Sequence, residues 1–225
     1  MEIWFVIPAY NEAAVIETTI VSVLSRCPNV IVVDDHSQDN TFEIATKAGA
    51  LVCRHPINLG QGAALQTGID YALLSGADAI VTFDADGQHN VDEAMEMAYL
   101  LEQNDNIDVV LGSRFLTQKA IGISATKAIF LKAAAIFTRF TSGLKVTDAH
   151  NGLRCFSRMS ASKIKIRQNR MAHASEISNQ IADLKLRYTE FPVTITYTDY
   201  SRAKGQKMSG AFRILYDLAI GRLYK

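Results

Sequence analysis

Three cysteines, Cys27, Cys53 and Cys155, are too few and too scattered for a thiolate metal site, and an odd number cannot form a fully paired disulfide framework. They read as small buried hydrophobes in a reducing compartment. No stretch approaches the roughly eighteen apolar residues of a membrane-spanning helix, and Met1-Glu2-Ile3-Trp4 enters an apolar run without a basic leader. The expectation is a protein neither secreted nor membrane-spanning. There is no Gly-x-x-x-x-Gly-Lys, and no Gly-x-Gly-x-x-Gly follows the first apolar run. Phosphate-loop and ordinary dinucleotide-binding chemistries are thereby excluded. Net charge is also missing, with 23 Lys and Arg set against 23 Asp and Glu.

That balance conceals a division. Residues 1–108 hold 17 acids and 3 bases, a net −14, whereas residues 109–175 hold 12 bases and one acid, Asp148, a net +11. An asymmetry of this size suits an anionic partner for the second half, either phosphate or a membrane surface. No nucleic-acid partner is expected, because the basic stretch has no recognisable motif and few aromatics to stack bases.

What is present is alternation. Short Val- and Ile-rich runs at residues 3–7, 30–33, 51–53, 79–83 and 109–111 have the character of buried parallel strands. Helical spacing fills residues 13–25, 41–48, 63–75 and 91–104, with Pro, Gly or Asn clusters near the ends. The fold class expected is α/β, with a doubly wound, mostly parallel sheet flanked by helices. With 48% hydrophobic residues and no repeat or linker, residues 1–225 read as one domain.

Each strand ends in a polar cluster, which the fold would bring to one edge of the sheet, where open α/β sheets bind ligands. After the first strand comes Pro8-Ala9-Tyr10-Asn11-Glu12; after the second, Asp34-Asp35-His36-Ser37; after the third, Asn58-Leu59-Gly60-Gln61-Gly62; after the fourth, Asp84-Ala85-Asp86-Gly87-Gln88-His89. Tyr can stack on a base and carboxylates can accept from base or ribose. Gly60 and Gly62 would let backbone approach a ligand. Asp84 and Asp86, one residue apart, repel unless a cation lies between them, and hard oxygen donors completed by Gln88 or water suit Mg²⁺ or Mn²⁺. A cation there asks in turn for phosphate.

In order and spacing, these clusters together with Gly112-Ser113-Arg114-Phe115 resemble the family 2 glycosyltransferases of GT-A fold. The similarity runs from about residue 3 to at least residue 157. Within that family the chain is most similar to dolichyl-phosphate mannose synthases and bacterial polyprenyl-phosphate glycosyltransferases. Thr147-Asp148-Ala149-His150-Asn151-Gly152-Leu153-Arg154 matches their Asp-x-x-Ser-Gly-Phe-Arg segment, with Asn151 for Ser and Leu153 for Phe. The resemblance implies an inverting transfer by direct displacement. Pro8, Ala9, Tyr10, Glu12, Asp35, Gln61, Asp84 and Ala85 would line a UDP- or GDP-sugar site, and Asp84, Asp86 and Gln88 would hold Mg²⁺ or Mn²⁺. It divides the chain into a nucleotide-sugar half, 1–112, and an acceptor half, 113–225.

On the acceptor side, Arg114, Lys127, Asp148 and Asn151 are the expected residues, with Asp86, Arg114 and Asp148 catalytic. Lys127 falls where the related enzymes commonly have Arg. Residues 121–141 are apolar with interspersed bases, and Ile129, Ala133, Ile136 and Phe140 recur on one helical face, suited to packing on the sheet or to a membrane. Arg202, Lys204 and Lys207 would close over the diphosphate, and Phe212 to Leu223 show amphipathic spacing. The acceptor that the resemblance implies is a polyprenyl phosphate at the cytoplasmic membrane face, reached by peripheral attachment, with a small integral membrane protein as a compatible partner. A sugar hydroxyl on a lipid-linked glycan is the alternative; a noncatalytic nucleotide-binding adaptor is disfavoured by the intact motifs.

Overall fold

The computed structural model describes residues 1–116, 120–121, 123, 125–170, 172–198 and 200. The five apolar runs form β1 (Ile3–Ala9), β2 (Val30–Asp34), β3 (Leu51–Arg54), β4 (Ala79–Thr82) and β5 (Val109–Ser113). Between them lie α1 (Ile16–Leu24), α2 (Thr41–Lys47), α3 (Gln61–Leu74) and α4 (Val91–Glu102). β6 (Ala120–Ile121), α5 (Ala125–Ser142), β7 (Arg154–Ser157), α6 (Arg158–Lys163), α7 (His173–Asp183), β8 (Tyr188–Pro192) and β9 (Ile195–Thr196) follow.

The main sheet has the order β3-β2-β1-β4-β7-β5-β8, and a two-stranded sheet pairs β6 with β9. β1 to β4 are mutually parallel, β5 is parallel to β8, and β7 runs antiparallel between β4 and β5. The mostly parallel sheet matches the expectation; the antiparallel insertion was not anticipated, because a four-residue strand headed by arginine lacks the apolar run that marks its neighbours. Strand alternation divides the core. Ile3, Phe5 and Ile7 pack toward α1 and α4, whereas Trp4 and Val6 pack toward α3 and α7. A large side chain buried as completely as Phe5 or Ile7 contributes about 1.5–3 kcal/mol. The sequence order turns outward from β1 to β2 and β3 on one side and from β1 to β4 on the other, so a crevice opens at the carboxyl ends of β1 and β4.

Of the two readings left open for the stripe on α5, packing on the sheet is the one that the structure removes. Leu131, Ala134, Ala135 and Thr138 face inward, while Ile129, Ile136 and Phe140 are 68%, 58% and 83% exposed. The stripe read from the sequence is the outer face of the helix, not its packing face. No described helix is long and apolar enough to cross a membrane. The three cysteines are free, with Cys27 and Cys155 buried and Cys53 half-buried.

Candidate active site

The crevice holds a pocket of about 350 Å³, within the range of small-molecule sites. One wall is the chain leaving β1, with Pro8, Ala9, Tyr10 and Glu12; Asp35 comes from the end of β2 and Gln61 from the start of α3. The opposite wall is Asp84, Ala85, Asp86 and Gln88 after β4, met by Asn151, Gly152 and Arg154 at the entry to β7. His150 and His173 complete it. Most of the sequence-derived candidates thus converge, although they come from segments up to about 140 residues apart.

The loops are held by their own polar groups. Asn11 and His36 take left-handed backbone, with φ of 54° and 63°. The Asn11 amide donates to Ser37 Oγ (2.9 Å), and its side-chain oxygen accepts from the Gln38 amide (2.7 Å), tying the loops after β1 and β2 together. Asp35 is buried, accepting from the Leu59 and Gly60 amides at 2.9 and 2.6 Å and bonded to His55 Nδ1 at 2.8 Å. His55 Nε2 in turn meets Thr67 Oγ1 at 2.9 Å. Asp35 therefore organises the loop ahead of α3 as well as lining the pocket. Gly60 and Gly62 were expected to admit a ligand, but they admit protein: a Cβ would meet Asn169 O at 2.3 Å and Gln168 O at 2.0 Å, respectively. Contact of this loop with residues 168–169, through Gly62 N–H to Asn169 O at 2.8 Å, seats α3 beside the pocket.

At the end of β4, Asp84 Oδ1 accepts from Gln61 Nε2 (3.2 Å) and Oδ2 is bonded to His89 Nε2 (2.9 Å). Burial pushes the Asp84 carboxyl up, but the His89 bond and surrounding cationic groups, Arg154 among them, outweigh it and hold the group below its ordinary value. Asp86 goes the other way: burial and the Asp84 charge push it up to about 6. Two carboxylates driven apart in this manner are short of positive charge. Asn90 caps α4 through the Asp92 amide at 2.8 Å, fixing where the loop ends.

The acceptor candidates sort differently. Arg114 and Asp148 do not line the pocket but form a buried pair behind it. Arg114 Nε donates to Asp148 Oδ2 at 2.5 Å, Nη1 to the Tyr197 hydroxyl at 2.6 Å and Nη2 to the His150 carbonyl at 3.3 Å. Burial alone would lower the Arg114 pKa; Asp148 and Tyr197 more than reverse this and raise it. The guanidinium expected to meet phosphate is thus engaged by protein, and the carboxylate expected to orient an acceptor holds that guanidinium. Asn151 does reach the pocket, its side-chain oxygen accepting from the Leu153 amide at 3.0 Å. Lys127 lies on α5, its side chain outside the described part, and Arg202, Lys204, Lys207 and the helical pattern after them lie outside the described residues. Just before them, the Tyr200 hydroxyl donates to Glu12 Oε2 at 2.8 Å, which ties Tyr200 to the Glu12 side of the pocket.

Sequence reasoning missed Arg154, His150 and His173. Arg154 is 5% exposed, and burial pushes it down to about 10, leaving it cationic at neutral pH. His173 is pushed down to about 4 by burial and by Arg154, and its Nδ1 lies 2.7 Å from the Arg170 carbonyl. A neutral imidazole donating there leaves Nε2 as an acceptor. The signal for Arg154 was the motif from Asp148 to Arg154, in which only its first residues were given roles.

A parallel-centred sheet opening on a carboxylate pair at the switch point is the architecture of GT-A glycosyltransferases. In agreement, a solved structure of glucosyl-3-phosphoglycerate synthase from Mycobacterium tuberculosis, in complex with Mn²⁺ and UDP-glucose, superposes with a TM-score of 0.73 at 18% identity, covering 96% of this chain and 76% of that one. The chain belongs to Glycosyl transferase family 2, whose model matches residues 4–165, and it is a glycosyltransferase. It is 33% identical to the UDP-N-acetylglucosamine–dolichyl-phosphate N-acetylglucosaminyltransferase of Methanococcus voltae, over 99% of this chain and 97% of the relative. It is 29% identical to the polyprenol monophosphomannose synthase of Mycolicibacterium smegmatis, over 92% and 80%.

Proposed function

We propose that this glycosyltransferase moves a sugar from a nucleoside-diphosphate donor to a polyprenyl phosphate, with inversion, at the cytoplasmic face of a membrane. The observation that carries the reading is the Asp84–Asp86 pair facing the pocket, with Asp86 pushed up to about 6 by burial and by the Asp84 charge. The full-length likeness to transferases named for dolichyl phosphate and polyprenol supports the acceptor. Tyr10, 42% exposed at the pocket mouth, offers a face for the base, and Glu12 and Asp35 offer acceptors for base or ribose. UDP is the first candidate, after the donors named for the relative and the solved structure.

The donor set fits a divalent cation. Among the described residues no three His, Cys, Asp or Glu side chains gather into a chelating group. Asp84, Asp86 and Gln88 would therefore share Mg²⁺ or Mn²⁺ with diphosphate oxygens and water, the usual economy of Mg²⁺ sites. When bound, such a cation stabilises charge developing on the leaving diphosphate. His89 and Gln61 orient Asp84 for that role. Because a phosphate monoester is already anionic, attack on the anomeric carbon needs no strong general base, and the walls around His150 and Asn151 exclude water and orient the acceptor. The +11 stretch and the exposed Ile129, Ile136 and Phe140 of α5 support peripheral membrane attachment without a spanning helix. Residues 1–112 would serve the donor, 113–225 the acceptor, and a small membrane protein could assist.

The test is incubation with radiolabelled UDP- and GDP-sugars, Mg²⁺ or Mn²⁺, and polyprenyl phosphate in liposomes, followed by lipid extraction. Label in acid-labile lipid supports the proposal; label only on hydroxyl acceptors replaces it with glycan extension. Wild type should sediment with anionic liposomes, and a Phe140→Glu, Ile136→Glu variant should remain in the supernatant with unchanged nucleotide affinity; equal sedimentation would remove α5 from the membrane surface.

A further inference from the structure

Arg154 is the single Lys or Arg among the described residues lining the pocket, which otherwise carries the carboxylates of Glu12, Asp35, Asp84 and Asp86. Its guanidinium makes no hydrogen bond or ion pair with any described residue, although it is 5% exposed and carries five donors. Its nitrogens are not among the fully buried atoms that lack a partner, so they open on the pocket, where a guanidinium with free donors is placed to take a ligand. Asp84 and Asp148 are near enough to influence its charge, yet the Asp84 oxygens are engaged by Gln61 and His89 and Asp148 Oδ2 by Arg114. Gly152 closes on the same carboxylate, since a Cβ there would lie 2.2 Å from Asp84 Oδ2. The Asp84 and Arg154 charges act on each other without a hydrogen bond or ion pair between them. The neighbouring imidazoles do not compete for an anion: burial pushes His150 down, and His173 is pushed down to about 4. β7 delivers Arg154 to this position by running antiparallel between β4 and β5, so that its first residue, opposite Thr82 and Leu111, stands at the carboxyl edge of the sheet.

We propose that Arg154 is a binding residue for a phosphate oxygen of a substrate. The guanidinium fork matches phosphate in two-pronged geometry, and it shares the pocket with the Asp84 and Asp86 carboxylates. The ligand is either the distal phosphate of the donor or the phosphate monoester of the acceptor. This rests on the nucleotide-sugar reading above and adds the residue that would grip the anion.

Calorimetry on the full chain with Mn²⁺ present, using UDP and uridine as one pair of probes and farnesyl phosphate and farnesol as another, distinguishes the sources. Arg154→Gln should lose about tenfold to a hundredfold in affinity for UDP if the donor is gripped, or for farnesyl phosphate if the acceptor is, with the unphosphorylated probe of that pair unaffected. Arg154→Lys keeps the charge and should fold even if Arg154→Gln does not; losing the fork, it should bind the same phosphate severalfold more weakly. Unchanged phosphate affinities in folded variants, accompanied only by altered melting temperature, would make Arg154 a structural counter-charge and overturn this inference while leaving the transferase reading intact. A wild type binding none of the phosphates would remove both.

Discussion

Gly152→Ala is the sharpest test of how the Asp84 carboxylate is held. The Gly152 carbonyl accepts from Thr82 Oγ1 at 2.7 Å, which pins this backbone to the end of β4. An added Cβ would lie 2.2 Å from Asp84 Oδ2 and 2.7 Å from its Cγ, more than ~1 Å inside the relaxed separation of such atoms. Asp84 has a short side chain already bonded to Gln61 and His89, so the clash displaces the carboxylate rather than a flexible tip. Overpacking of this kind costs about 1–3 kcal/mol, and each kcal/mol lowers Tm by ~2–4 °C in a chain of this size. A 1 Å misplacement at a reacting centre costs about a hundredfold in rate. Sugar transfer should therefore fall about a hundredfold, and the Mn²⁺-dependent part of UDP binding should vanish, while uridine binding at the β1 and β2 side persists. Thermal melting, calorimetry and the lipid-extraction assay measure these three quantities on one preparation. A variant with wild-type transfer and metal-dependent binding would refute the claim that Gly152 sets the position of Asp84.

Three further outcomes follow from the same geometry. Asp86 has its native carboxyl pushed up to about 6 from 3.8, so the stability it contributes is present below about pH 4 and is lost as pH rises through 6. Asp86→Asn should consequently raise the metal-free Tm more at pH 7.5 than at pH 4, while abolishing transfer, and wild-type Mn²⁺ affinity should climb as pH passes 6; pH-independent affinity would contradict this. Asp35→Ala removes the acceptor for the Leu59 and Gly60 amides, so about 1–3 kcal/mol of stability per stranded group should be lost with part of the nucleotide affinity, and equilibrium denaturation matching wild type would sink the assignment. Arg114→Ala leaves Asp148 buried without its counter-charge and should cost about 3–5 kcal/mol of folding stability, with nucleotide affinity in the surviving folded fraction reduced far less; a stable variant defective only in transfer would return Arg114 to the acceptor site.

The strand ends were legible because each combines a local burial signal with residues that favour turns. Val30–Asp34 is buried along its whole length, and Asp35 follows at once, so the chemistry announces itself at the point where the run of apolar residues stops. The same logic singled out Asp84, Asp86 and Tyr10, which the fold brings to one pocket. It did not foresee that Arg114 and Asp148 would pair behind that pocket while Arg154 lines it. Three charged side chains within about forty residues are interchangeable candidates in a sequence; which two pair and which faces the pocket depends on the depth and direction of β5 and β7.

By itself the sequence determined the alternating elements, the carboxyl edge at which they gather polar residues and the class of donor that edge suits, because burial periodicity and turn chemistry act over a few neighbouring residues. Tertiary structure alone decided the rest. α5 is apolar on opposite sides, so its periodicity could not say that Leu131 and Ala135 would pack inward while Ile136 and Phe140 stayed outside. The antiparallel seat of β7 owes its place to hydrogen-bonding partners far along the chain. Only that seat separates Arg154 from the buried Arg114–Asp148 pair, since the energy of a charge depends on which partner reaches it, and that is a property of the fold.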